Sequence, residues 1–211
     1  MAGLFITFEG TEGCGKSTQI ALTAEWLRSL DREVIQLREP GGTRLGEEIR
    51  HLLKHSDAGQ GMTPAAELLL MNASRAQLVR ELIRPAVTAG KIVLCDRFFD
   101  STIAYQGYGR GLPMADVERI IDFAVDDCRP DLTLLLQVPV AVSERRRAER
   151  TAVPDDAPDR FEQSDRDFFQ RVEEGFLDLA ANQRDRIVAI DGGDPVEAVQ
   201  TAIRAAIQKR L

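Results

Sequence analysis

The sequence predicts an α/β fold, a five-stranded parallel sheet with helices on both faces. Three observations carry that expectation. Five short apolar runs of strand-forming residues recur at 4–8, 34–37, 92–96, 132–138 and 187–190. Longer segments with apolar residues three and four apart lie between them. The first run leads directly into Gly10-Thr11-Glu12-Gly13-Cys14-Gly15-Lys16-Ser17, a G-x-x-x-x-G-K-[ST] pattern, with Thr18 opening the helical stretch behind it. Strands interleaved with helices imply right-handed crossovers, and so a parallel sheet covered on both faces.

The elements follow in order. A helix over 18–30 presents Ile20, Leu22, Trp26, Leu27 and Leu30 as its apolar members. The second strand ends in the turn-rich Arg38-Glu39-Pro40-Gly41-Gly42-Thr43, and a helix over 45–54 follows. Residues 56–63 read as a loop. Thr63 caps a long helix over 64–89, with Pro64 in its first turn. The third strand ends in Asp96; a helix or irregular segment runs to Tyr105, and 107–111 reads as a glycine-rich loop. Helices over 113–127, 140–150, 165–182 and 195–208 complete the set, with a Pro/Asp loop at 154–159. No repeat or linker interrupts the 211 residues, so a single domain over 1–211 is expected, with a lid at about 145–162.

Composition narrows the classes. Twenty-seven basic against thirty-four acidic residues leave a net charge of −7, which argues against broad binding to nucleic acid or an anionic membrane. No apolar run approaches a membrane span, and no signal pattern opens the chain. Cys14, Cys95 and Cys128 are odd in number and widely spaced, which suits reduced thiols in a cytoplasmic protein. His51 and His55 lack neighbouring ligands and read as surface residues.

The glycine-rich pattern has a definite chemistry. Its glycines let successive backbone N–H groups turn inward around a polyphosphate. Lys16 adds a cation over the β- and γ-phosphates, and the Ser17 hydroxyl can ligate the accompanying Mg²⁺. The loop residues Gly10, Thr11, Glu12, Gly13, Cys14, Gly15, Lys16, Ser17 and Thr18 are therefore the expected ATP-binding set. Such a loop names a phosphate site and not a reaction. Asp96 ends a buried-strand pattern at the edge where open α/β sheets bind ligands, which makes it a second candidate for the Mg²⁺ shell. Arg75 falls on the apolar stripe of Leu68, Met71, Leu78 and Leu82, with Asn72 bordering it. A buried arginine meets either an internal carboxylate or a bound anion or base. Arg145, Arg146, Arg147 and Arg150, then the Pro/Asp loop and Arg160, fit either a solvated surface or a lid whose arginines fold over phosphates.

These residues resemble the thymidylate kinase family, end to end. The run 94–106 (LCDRFFDSTIAYQ) matches its signature region, and Gly10 to Ser17 with Glu12 inside, 38–43 (REPGGT) and 159–163 (DRFEQ) match its bacterial branch. The resemblance implies a P-loop nucleoside-monophosphate kinase that converts dTMP to dTDP with ATP and Mg²⁺, for dTTP synthesis, acting as a homodimer. It implies that Glu12 faces the sugar 3′-hydroxyl and Arg97 grips the dTMP phosphate. Arg75 reaches the thymine edge, helped by Thr102 and Gln106, while Tyr105 crowds the 2′ position and Ser101 belongs to the substrate-binding set. Arg38, Glu39 and Arg50 belong to the acceptor side, and the Glu39–Pro40 bond is cis. Lys16, Arg97 and lid arginines supply charge to the transferred group, with Arg150 first, Arg146 next and Arg160 after it. One departure stands out. The family carries an aromatic residue on the base at one of two positions that are here Met71 and Asn72. The segment 151–159 is also a few residues longer than usual. A guanine-selecting N-K-x-D motif, expected of a P-loop switch, is absent.

Overall fold

The computed structural model describes residues 3–151, 160–161 and 164–211, without the side chains of 140 and 147–151. Five parallel strands form one sheet in the order β2-β3-β1-β4-β5. They are β1 (Leu4–Glu9), β2 (Val34–Arg38), β3 (Ile92–Asp96), β4 (Leu132–Gln137) and β5 (Ile187–Asp191). The expected strands are all present.

Alternation along the three inner strands divides the core in two. Phe5, Val93, Cys95 and Leu135 point to one face, while Leu4, Ile6, Phe8, Ile92, Leu94, Leu134 and Leu136 point to the other. The second face is covered by α1 (Lys16–Arg28), through Ile20, Ala24 and Leu27, and by α9 (Val196–Gln208), through Val199, Ile203 and Ile207. The first is covered by α2 (Arg44–Lys54), α3 (Pro64–Leu78), α6 (Met114–Val125) and α8 (Arg166–Asn182). Short α4 (Arg84–Thr88) and α5 (Phe99–Thr102), and α7 (Val140–Thr151), complete the helices among the described residues. None of these is long and apolar enough to cross a membrane.

Two segments depart from expectation for packing reasons. The helix expected over 64–89 is continuous but contains a π turn at Val79–Ile83 between α3 and α4. Pro85 follows after one intervening residue. A proline ring clashes with the carbonyl four residues back, and one widened turn relieves that clash without ending the helix. Of the loop expected at 107–111, residues 107–109 are instead the end of a π-helix over Ile103–Gly109, and only 110–111 lie outside regular helix. Gly109 is small there because a Cβ would lie 2.6 Å from the Phe168 ring and 2.9 Å from Val172 of α8. The glycine serves close helix packing, not a turn. Smaller differences are a single 3₁₀ turn at Asp57–Gly59 within the expected 56–63 loop, and helix ends shifted by one to two residues. His51 and His55 are exposed, as expected.

The sheet order sets the site. β1 lies between β3 and β4, and β2 flanks β3, so the carboxyl ends of β1, β2 and β3 converge on one edge. Glu9-Gly10, Arg38-Glu39 and Asp96-Arg97 meet there.

Candidate active site

A cavity of about 300 Å³ opens at that edge. Its phosphate end is the glycine-rich loop, where Gly10, Gly13 and Gly15 all have positive φ, at 131°, 77° and 98°. Only glycine reaches such conformations cheaply, and they turn the backbone amides toward the start of α1. No side chain caps that helix and its first turn holds no acidic residue, which leaves its positive end open to an anion. Lys16 is buried, with Nζ donating to Gly10 O at 3.2 Å and Thr11 O at 3.1 Å. Burial and the Arg97 charge push its ammonium down, but Cys14, Asp96 and Glu12 outweigh them and hold it above the ordinary lysine value. The lysine stays a cation.

Arg97 is the centre of the site. Its backbone has φ 69°, an uncommon left-handed conformation for a side-chain-bearing residue, and such strain clusters at functional sites. Nη1 donates to Gly10 O and Ser101 Oγ, both at 3.0 Å; Nη2 donates to Glu12 Oε2 at 2.9 Å and Tyr105 Oη at 3.3 Å. The Tyr105 ring lies 5.1 Å beneath its guanidinium carbon. Burial raises Glu12, yet Arg97, Lys16 and Lys54 together hold its carboxyl well below the usual range.

Glu9, unmarked by the sequence reading, holds this turn. Its Oε1 accepts from Phe98 N at 2.7 Å and Ser101 N at 3.3 Å, and its Oε2 from Ser101 Oγ at 2.5 Å. Burial and the Asp100 charge push its carboxyl up to about 7, against Arg97, Ser101 and Phe98. The available signal was a carboxylate closing an apolar strand immediately before Gly10.

The far end of the cavity is the α3 stripe. Arg75 is 2 % exposed and bonds Glu39 Oε2 through Nε at 2.9 Å and Nη2 at 2.7 Å. Nη1 donates to Asn72 Oδ1 at 2.7 Å, and Phe98 lies under the guanidinium. The internal-carboxylate reading of the buried arginine holds, and the residue also lines the cavity. Burial pushes Glu39 up to about 7 against the pull of Arg75, and its Oε1 has no hydrogen-bond partner. Asn72 is not in the cavity wall; its role is to brace Arg75, with its own Nδ2 on Leu68 O. Met71, Ser101, Thr102, Tyr105 and Gln106 do line it, joined by Phe98, Lys54 and Phe161, which the sequence reading assigned no role. Glu39–Pro40 is cis.

The remaining expected residues separate. Glu12, Gly13, Gly15, Ser17, Thr18, Arg38 and Arg50 line the cavity. Arg38 pairs with Glu47 at 3.0 Å, and Arg50 Nη1 donates to Pro40 O at 3.0 Å. Gly10, Thr11 and Cys14 form the back of the loop, with Cys14 buried 3.7 Å from Lys16 Nζ. Arg146 Nη1 reaches the loop carbonyl of Gly13 at 3.2 Å and that of Gly192 at 3.3 Å. Arg160 turns away from the cavity, its Nη2 on Glu67 Oε2 at 2.7 Å and its Nε on Leu53 O at 3.0 Å. The Arg150 side chain and most of the expected lid lie outside the described residues.

The donor set fits a hard divalent cation. Asp96 Oδ1 is buried without a hydrogen-bond partner, and Asp96 and Ser17 both line the cavity beside Lys16. Buried polar atoms are normally satisfied, and Mg²⁺ takes oxygen ligands of this kind. No cluster of three His, Cys, Asp or Glu forms an all-protein metal cage among the described residues.

A family model described as thymidylate kinase matches residues 8–203. The thymidylate kinase of Geotalea uraniireducens is 46 % identical over 210 residues, covering 99 % of this chain and 98 % of its own. That of Geobacter sulfurreducens is 47 % identical over 211 residues, with 99 % and 98 % covered. Among solved structures, thymidylate kinase from Ehrlichia chaffeensis superposes with a TM-score of 0.78 at 34 % identity, over 99 % of both chains. The full-length match includes the loop, the strand-end Asp96-Arg97 and the α3 stripe that build the cavity, and the chain belongs to the thymidylate kinase family.

Proposed function

We propose that the protein transfers the γ-phosphoryl group of ATP to dTMP, yielding dTDP for dTTP synthesis. One observation carries the reading. A single cavity runs from Lys16 and Ser17, past Arg97, to Arg75 and Gln106, so a donor phosphate site and an acceptor pocket share one wall. The protein forms no covalent bond to the transferred group. It aligns two phosphates and neutralises charge between them.

Each side chain has a task on that account. The loop amides and Lys16 hold the ATP phosphates. Ser17 and Asp96 would hold Mg²⁺, which would offset the charge of the phosphates when bound. Arg97 binds the dTMP phosphate from a position fixed by Glu9, Ser101 and Tyr105. Glu12 accepts from the sugar 3′-hydroxyl, and the Tyr105 ring crowds the 2′ position. Arg75, Thr102 and Gln106 meet the thymine edge, and Met71 covers its face through a polarizable sulfur. Arg38, Glu39 and Arg50 shape the acceptor side, Glu39 by holding Arg75. A lid arginine of α7, Arg150 before Arg146, meets charge on the transferring group. Arg160, committed to Glu67, acts by anchoring the chain that returns from the lid.

Family membership supports a homodimer in the cytoplasm, and sedimentation equilibrium reads the assembly directly. Coupled detection of ADP release with dTMP, dUMP, dCMP, AMP and GMP tests the reaction. The highest kcat/KM is expected for dTMP. Preference for a purine monophosphate, or ATP turnover that ignores the acceptor, would contradict it.

A further inference from the structure

We propose that Glu67 is a positioning residue for base selection, setting which end of the Gln106 amide faces the cavity. The inference rests on the dTMP reading and deepens it. Gln106 is buried and forms part of the cavity wall. Its Nε2 donates to Glu67 Oε1 at 2.7 Å. Glu67, in the first turn of α3, is buried too. Arg110 reaches it through Nε at 3.3 Å and Nη2 at 3.2 Å, and Arg160 through Nη2 at 2.7 Å. The guanidinium carbons of these arginines stand 4.4 Å from the Phe168 ring centre and 4.7 Å from that of Phe161. The carboxylate is therefore held by two cations that are themselves packed in place.

A carboxylate so held offers acceptors only, whereas an amide has one donor end and one acceptor end. Gln106 must turn its NH₂ toward Glu67, and its carbonyl oxygen is the end left for the cavity. The reverse orientation would set two oxygens against each other in a buried site. The wall then presents an acceptor from Gln106 together with donors from the Arg75 guanidinium. A pyrimidine with N–H at ring position 3 beside a carbonyl at position 4 matches that pattern. One with a bare ring nitrogen beside an amino group is reversed at both points. Thymine and uracil are of the first kind, and cytosine is of the second.

The test compares kcat/KM for dTMP and dCMP in the parent, Glu67→Gln and Glu67→Asp. A glutamine at 67 can accept or donate, so Gln106 is released to turn. The dTMP-to-dCMP ratio should fall by at least about tenfold in Glu67→Gln. Glu67→Asp keeps an acceptor-only carboxylate and should hold the ratio within about threefold of the parent. A merely structural role would lower both substrates alike and leave the ratio in place, and that outcome overturns the inference. Should the two arginines left without their counter-charge prevent Glu67→Gln from folding, Arg110→Met is added and the same ratio is read. A parent that does not prefer dTMP would overturn the dTMP reading and this inference with it. A parent that does, with its ratio retained in Glu67→Gln, overturns the positioning role alone.

Discussion

Glu9 and Arg97 show how much of the site depends on single side chains. A buried carboxyl pushed up to about 7, from an ordinary 4.5, binds a proton in the folded chain that the unfolded chain has already released. Its contribution to stability is complete below about 4.5 and is lost as pH rises through about 7. Glu39 shifts the same way and adds to the trend. Glu9→Gln removes one of the two titrations while keeping an acceptor for Phe98 N. The Tm of Glu9→Gln relative to the parent should therefore rise between about pH 5 and pH 7.5. A difference that stays constant across that range would show that Glu9 is not the titrating group. Met71 offers a second test at this scale. Methionine covers a ring less firmly than an aromatic side chain, so Met71→Phe should tighten dTMP binding by up to about 1 kcal/mol, read by calorimetry. An unchanged or weaker Kd would place the base elsewhere or show it already covered by neighbouring Phe98 or Phe161.

At the scale of elements, legibility followed local chemistry. The glycine-rich loop, Asp96-Arg97 and the Arg75 stripe were readable because each is a contiguous or strictly periodic pattern. Glu67 was not readable. It sits in a helix first turn, where an acidic residue is favoured simply by the helix dipole, and nothing local reveals that Gln106, Arg110 and Arg160 converge on it. Gly107 and Gly109 misled for a related reason, because glycine marks turns and close helix contacts alike, and only the partner decides between them: Met114 of α6 for Gly107, and Phe168 and Val172 of α8 for Gly109. Asn72 and Arg160 sit beside the site residues in the chain but are spent on bracing Arg75 and Glu67. Helix α7, where the expected lid begins, carries the remaining catalytic expectation. Inside the glycine-rich loop Lys16 is the only basic residue, so charge on the transferring group must be met from another segment. An arginine supplied to such a site is worth about 10³–10⁵ in rate. Arg150→Ala should lower kcat by at least about a hundredfold with little change in the KM for dTMP, as expected of an interaction made only in the transition state. Arg146→Ala and Arg160→Ala are the comparison variants. A kcat within a few-fold of the parent in all three would remove the arginines from the mechanism.

For the whole molecule, the strand order is what makes one reaction centre out of distant sequence. Because β1 pairs with β3 and β3 with β2, the glycine-rich loop, Arg97 and Glu39 emerge side by side from segments up to 87 residues apart, the separation of Gly10 and Arg97. The two core layers then hold α1 behind the glycine-rich loop and α3 along the Arg75 end of the cavity. On the proposed function, this one cavity seats the acceptor with its phosphate on Arg97 and its base on Arg75. A crystal structure of the protein with bound dTMP decides the matter. Phosphate oxygens are expected within hydrogen-bond reach of the Arg97 guanidinium, about 3 Å, and the thymine edge at Arg75 and Gln106. A thymine seated at the Lys16 end, or a dTMP phosphate away from Arg97, would contradict it.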